Sequence, residues 1–233
     1  MIKAVFFDWF NTLAYYSPLR EELESQALLE LGFNISPKAI IPYLYLADKE
    51  YTKENVHLPI RRRKQEEQMR VYANYHRTIM EGIGIKVTDD LAYKVVARML
   101  QLNTTMKFVL YDDALTTIKA VKERKKTVGL LTNVDHGMDA ICHELGLASL
   151  LDFTITSGEV GSEKPQPPIF LKALELAKIK PEEAIHIGDQ YQNDVVGARG
   201  VGINPILLDR VNACTEITDC PRITGLAEVM KYL

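Results

Sequence analysis

The chain has 233 residues, 47% of them hydrophobic, with 28 basic and 31 acidic side chains and a formal net charge of −3. That is room for one large domain, or one domain with an insert, and the mild acidic balance argues against nucleic acid as an obligate partner, because tracking phosphates needs a basic face. Three cysteines (Cys142, Cys214, Cys220) are odd in number and lack metal-site spacing, which points to a reducing cytoplasm rather than a disulfide framework, and the first apolar run is broken at Asp8, too early for a signal peptide or a membrane span.

Residues 2–7 are β-branched and aromatic and predict a buried strand that runs into Asp8. The pattern then turns helical. Leu19, Leu23, Ala27, Leu28 and Leu31 recur at helical spacing and Gly32 closes the element. Pro37 opens a second helix with Pro42 near its start and Ile40, Leu44 and Ala47 on one face. A third helix is expected from about Arg63 to Met80, ending at Gly82, and a fourth after Asp89-Asp90 carries Leu91, Val95, Val96, Met99 and Leu102. No strand is expected in this stretch. Strand and helix then alternate: helix 114–126, strand 127–131, helix 137–145 closed by Gly146, strand 152–156, a helix from Ile169 to Ala177 behind Pro167-Pro168, and strand 184–187. A helix around Val195 to Arg199, strand 206–208 and a short terminal helix complete the chain. Alternation of this kind implies an α/β fold, a Rossmann-like doubly wound parallel sheet with right-handed crossovers. The expected division is an α/β core from residues 1–16 and 108–233 and an all-helical insert, 17–107, that caps the carboxyl end of the first strand.

Ligands of open parallel sheets bind outside the carboxyl ends of the strands. Three predicted strand ends carry polar signatures: Asp8 with Asn11-Thr12-Leu13, Thr132-Asn133, and Gly188-Asp189 with Asp194 further on; Lys164-Pro165 lies between the last two. A carboxylate nucleophile, a hydroxyl and amide, an ammonium and two further carboxylates suit phosphoryl-type chemistry around a hard cation. Taken singly, each residue has an ordinary reading. Asp8, Asp189 and Asp194 are common helix-capping residues, Lys164 is a solvated lysine, and Thr132 and Asn133 are turn residues.

Together and in order, these motifs resemble the haloacid dehalogenase superfamily. There the first motif is Asp-x-Asp-x-Thr-Leu after a strand, and here it stands as Asp8-Trp9-Phe10-Asn11-Thr12-Leu13. Thr132-Asn133 matches the second motif, Lys164-Pro165 the third, and Gly188-Asp189 with Asp194 the fourth. The resemblance spans the core, and the helical stretch matches the family's cap. It implies Asp8 as nucleophile, with Thr132, Asn133 and Lys164 as its catalytic and substrate-binding partners. It implies Mg2+ held by Asp8, the Phe10 backbone carbonyl, Asp189 and Asp194, and a small-molecule substrate. Thr12 is assigned to substrate binding and to support of the Asp8 loop.

Phe10 departs from the pattern. The family's phosphatases have there an Asp that serves as general acid and then base, and a phenyl ring moves no proton. The family's dehalogenases have an aromatic residue at this position, but those replace the first acid of the fourth motif with Ser and use no metal, whereas Asp189 is present here. The leading expectation is a magnesium-dependent, phosphatase-like hydrolase of a small phosphorylated or otherwise activated metabolite. The alternatives are a 2-haloacid dehalogenase and a non-catalytic binding protein of the same fold.

The remaining candidates have bland readings. Arg61-Arg62-Arg63-Lys64, followed by Glu66-Glu67, is a solvated helix face sooner than an anion site. His186 is expected in the core and His136 in a loop; Tyr15 and Tyr16 fall at the junction with the insert. The five histidines show no zinc spacing. Neither a membrane partner nor an oligomeric state is indicated.

Overall fold

Ala4 and Phe6 face one side of the first strand, Val5 and Phe7 the other, and all four are completely buried. A parallel strand covered by helices on both faces has this character. The computed structural model describes residues 1–55 and 58–233, with Arg61 described by its backbone alone.

In chain order the elements are β1 (Ala4–Phe7), β2 (Ala14–Ser17), α1 (Arg20–Glu30), α2 (Pro37–Asn55), α3 (Gln65–Gly82), α4 (Asp89–Leu102), β3 (Lys107–Leu110) and α5 (Ala114–Glu123). They continue with β4 (Thr127–Thr132), α6 (Met138–Glu144), β5 (Phe153–Thr156), α7 (Ser157–Val160), α8 (Pro167–Ala177), β6 (Ala184–Gly188), α9 (Gly197–Gly200), β7 (Asn204–Leu208) and β8 (Arg222–Ile223). The chain forms two compact units, Met1–Tyr15 with Phe108–Leu233, and Tyr16–Lys107.

The first unit is α/β. Its six-stranded sheet has the order β5-β4-β1-β6-β7-β8, and all its pairings are parallel. Counting only these six strands, the order is 3-2-1-4-5-6, the doubly wound arrangement whose switch point lies between the first and fourth strands. Here that point lies between β1 and β6. Register aligns the ends: Phe7 pairs with Leu130 of β4 and with Ile187 of β6, and the Asp8 N–H donates to the Ile187 carbonyl at 2.8 Å. One apolar cluster, including Val5, Phe7, Trp9, Ile118 and Leu130, covers one face of the sheet. Another, including Phe6, Leu131, Ile169 and Phe170, covers the other.

The second unit is helical. α1 contributes Leu23, Ala27 and Leu28, α2 Ile40, Leu44 and Ala47, α3 Ala73, Ile79 and Met80, and α4 Val95, Val96 and Met99 to one core. These are the positions that the helical periodicity selects. Thr88 caps α4, its hydroxyl accepting from the Leu91 N–H. Arg20 grips Asp48 through both guanidinium nitrogens at 2.8 Å, and the Tyr75 hydroxyl donates to the same carboxylate. No helix among the described residues is long and apolar enough to cross a membrane.

The structure adds elements that the sequence pattern does not predict. β2 and β3 form a two-stranded ribbon where the chain leaves the α/β unit and returns to it. Both are short, four residues each, and neither is a buried apolar run like β1. The segment before α9 is a π-helical turn, Tyr191–Val196, not regular helix, and the terminal helix is 3-10, Leu226–Tyr232.

Candidate active site

Asp8 follows the last residue of β1, at the switch point. The loop after it is tightly wound. The Leu13 and Ala14 N–H groups both donate to the Trp9 carbonyl, and the Asn11 N–H donates to the Ala14 carbonyl at 2.7 Å. Asn11 takes a left-handed conformation, φ 58°, which asparagine tolerates better than most residues. Trp9 is completely buried, edge-on to Phe108 with ring centroids 5.2 Å apart. Thr12 is also completely buried, and its carbonyl accepts from Arg210 Nη2 at 2.8 Å, while Arg210 is itself clamped by Asp113. Thr12 thus helps hold the loop. The Phe10 ring is half-buried against the same apolar cluster as Trp9.

Lys164 links the other strand ends to Asp8. Its Nζ lies 2.5 Å from Asp8 Oδ1 and 2.6 Å from Asp194 Oδ1. All three residues are more than nine-tenths buried. Burial by itself would lower the Lys164 ammonium, but Asp194 and Asp8 outweigh it and hold the group above the ordinary lysine range. Burial by itself would raise the Asp194 carboxyl, but Lys164 and His186 outweigh it and hold the group well below its usual range. Burial dominates at Asp8 and raises it, opposed by Lys164.

Asp189 completes the carboxylate set. One ligand oxygen from each of Asp8, Asp189 and Asp194 lies within 4.8 Å of the others. Asn11 Nδ2 reaches Asp189 Oδ2 at 3.4 Å. Lys164 is paired with two of the three carboxylates. The set offers carboxylate oxygens alone, which suit a hard divalent cation. The residues therefore fit such an ion.

Asp194 is placed by its surroundings. Its π-helical turn lies directly after β6, a distortion frequent at functional sites. Gly188 passes so close that a Cβ there would lie 2.1 Å from Asp194 Cγ, so any side chain would push the carboxylate away.

Thr132 is buried at the end of β4. Asn133, expected to donate to substrate oxygens, has a different partner: its side-chain amide is hydrogen-bonded to the backbone of Lys164. His186 is completely buried, as expected of a core histidine, but its Nε2 lies 2.9 Å from Asp194 Oδ1. The signal available in the sequence was a polar residue inside an otherwise apolar strand, two positions before Gly188-Asp189. Asn11 was read as part of the first motif, but its contact with Asp189 was not foreseen. His136 is exposed. Tyr15 packs on Tyr111 at 4.8 Å between centroids. Arg63 is taken up by Glu54 and the Leu58 carbonyl, and the Arg61 side chain lies outside the described residues.

The model of haloacid dehalogenase-like hydrolases matches residues 2–202. The chain belongs to this family. A glyceraldehyde 3-phosphate phosphatase of Methanopyrus kandleri is 27% identical over 90% of this chain and 85% of its own length. The haloacid dehalogenase-like hydrolase domain-containing protein 3 of Bos taurus is 33% identical over 52% of this chain, and that match spans only 49% of the bovine protein. A haloacid dehalogenase-type hydrolase of Bacillus subtilis, solved bound to magnesium, superposes with a TM-score of 0.66 at 17% identity, covering 100% of this chain and 98% of the other. That likeness shows the fold. In this haloacid dehalogenase-like hydrolase the first, third and fourth motifs meet through Asp8, Lys164, Asp189 and Asp194, and the second is tied to the third through Asn133.

Proposed function

We propose that the chain is a magnesium-dependent, phosphatase-type hydrolase that uses Asp8 as its nucleophile on a small phosphorylated metabolite. The observation that carries this reading is the grouping of Asp8, Asp189 and Asp194 at the sheet's switch point, with Asp8 and Asp194 bonded to one buried ammonium. Two relatives named as phosphatases of phosphorylated sugars support the substrate class: the Methanopyrus enzyme and a ribulose-1,5-bisphosphate 5-phosphatase of Halopiger xanaduensis, 25% identical over 90% of this chain.

In this reading Asp8 attacks phosphorus and forms an aspartyl ester that water then cleaves. Lys164 opposes the burial that disfavours the Asp8 carboxylate and offsets the charge of the phosphate. Thr132 donates to phosphate oxygens as charge builds on them. Asn133 holds the Lys164 backbone, and Thr12 holds the loop. Asp8, Asp189, Asp194 and the Phe10 carbonyl hold the cation, which screens the carboxylate from the incoming dianion when bound. Substrate selection falls to the helical insert. The odd number of cysteines, three, supports a reducing, cytoplasmic setting.

Phe10 favours one second reading, a haloacid dehalogenase in which Asp8 displaces halide from carbon, since halide leaves without a proton. Asp189 opposes it. The deciding experiment is a screen of phosphate esters, acyl phosphates and 2-haloacids, with and without magnesium. Metal-dependent release of phosphate, lost in Asp8→Asn, is expected. Metal-independent release of halide would replace the first reading by the second, and no turnover of any class would leave a binding protein.

A further inference from the structure

We propose that His186 is a positioning residue for Asp194, dictating which carboxylate oxygen is left to bind a cation. The inference rests on the metal reading above and adds a residue to it.

Alternation along β6 puts Ile185 and Ile187 in the cluster on one face of the sheet and His186 on the other face with Ala184. There the imidazole stands edge-on to Phe170 of α8, with centroids 5.2 Å apart and planes at 86°. It is sealed from solvent and cannot touch a substrate. Its Nε2 faces Asp194 Oδ1 at 2.9 Å. Opposite a carboxylate oxygen, that nitrogen must carry the proton. Nδ1 has no hydrogen-bond partner among the described residues. The tautomer with its proton on Nε2 leaves only an acceptor lone pair there, whereas a proton on Nδ1 would be a buried orphan donor.

The consequence lies in the division of donors. Asp194 Oδ1 receives both Lys164 Nζ and His186 Nε2, whereas among the described residues Oδ2 receives the Gln190 N–H alone, at 3.0 Å. His186 and Lys164 together saturate Oδ1. Oδ2 keeps a lone pair for the cation. The Gly188 backbone blocks retreat of the carboxylate on one side. Without the imidazole, Lys164 holds Oδ1 on a flexible four-carbon stem, and the Gln190 N–H is the remaining restraint on rotation of the carboxylate about its χ2.

The test compares His186→Leu, which keeps an apolar filling without a donor, with His186→Gln, whose Nε2 can take the place of the imidazole Nε2. Magnesium binding is measured by calorimetry on the folded proteins, alongside kcat, KM and thermal unfolding without metal. His186→Leu should weaken magnesium binding about 10–100-fold, the range typical of groups that orient metal ligands. His186→Gln should recover most of that loss. If His186→Leu does not fold, His186→Asn, whose amide stops short of Oδ1, serves instead. Equal magnesium affinity in wild type and the donor-less variant, with only the unfolding temperature lowered, would make His186 a packing residue and overturn the inference alone. A wild-type protein that binds no magnesium would overturn the metal reading and the inference together.

Discussion

Asn133 and Lys164 are joined by two reciprocal hydrogen bonds: Asn133 Nδ2 donates to the Lys164 carbonyl at 3.0 Å, and the Lys164 N–H donates to Asn133 Oδ1 at 2.7 Å. The end of β4 thereby holds the backbone from which the buried ammonium extends. Asn133→Ala should lower kcat about 10–100-fold, as loss of a group that orients its neighbour typically does. KM should change less. Steady-state kinetics with circular dichroism checks this, and an unchanged kcat would show that Lys164 is held without Asn133.

Asp8→Asn should abolish turnover and leave the fold intact. The side chain keeps its volume and an acceptor oxygen for Lys164, while the nucleophile is lost. Burial outweighs Lys164 at Asp8 and disfavours its charged form, so removing that charge should not lower the unfolding temperature. Active sites commonly hold such costly groups for function. Turnover at the wild-type level in this variant would overturn the mechanism.

Asp194→Asn separates stability from chemistry by pH. A carboxyl held below its ordinary value of 3.8 contributes stability that is complete above that value and is lost as the pH falls through the folded value. Breaking a buried, hydrogen-bonded pair costs about 3–5 kcal/mol. The variant should therefore be less stable than wild type at pH 7 by an amount of that order, and the gap should shrink below about pH 4. Urea unfolding in metal-free buffer at pH 7 and pH 3 measures it. A gap that does not change with pH would mean that Asp194 acts through packing rather than charge.

The strand-end motifs were legible because a parallel sheet turns sequence order into spatial convergence. Once β1, β4 and β6 are predicted, Asp8, Asn133 and Asp189 must lie near one edge. The four long helices were legible through their buried spacing, Leu23-Ala27 and Val95-Met99 among others. What escaped has no period to read. β8 is two residues long, and a π-turn differs from an α-turn by one extra residue. The roles of His186 and Asn133 depend on partners 8 and 31 residues away. A polar residue in an apolar strand marks His186 as unusual, but nothing local names the partner of either residue. Arg210 is a further case, since it ties the Thr12 carbonyl to Asp113 from the far end of the chain.

Phe10 is expected to set the substrate range. Where the family's phosphatases carry a proton-transferring acid, this chain has a phenyl ring packed against the apolar cluster of its own α/β unit. An alkoxide that departs without a proton is a poor leaving group, and a positioned acid typically contributes about 10²–10⁴-fold. Acyl and aryl phosphates should therefore be cleaved faster than simple alkyl phosphates by a factor of that order in the chemical step. The same residue serves as base in the second step, so its absence slows breakdown of the aspartyl ester. Good substrates should then show a burst of leaving group before a slower steady rate. Phe10→Asp should raise alkyl phosphatase activity and diminish the burst, with a smaller effect on activated substrates. Rapid-quench kinetics on a matched alkyl and acyl phosphate pair provides the measurement. Equal chemical-step rates for the two in wild type would mean that another group supplies the proton, and His136, exposed just beyond the second motif, would be the first to replace.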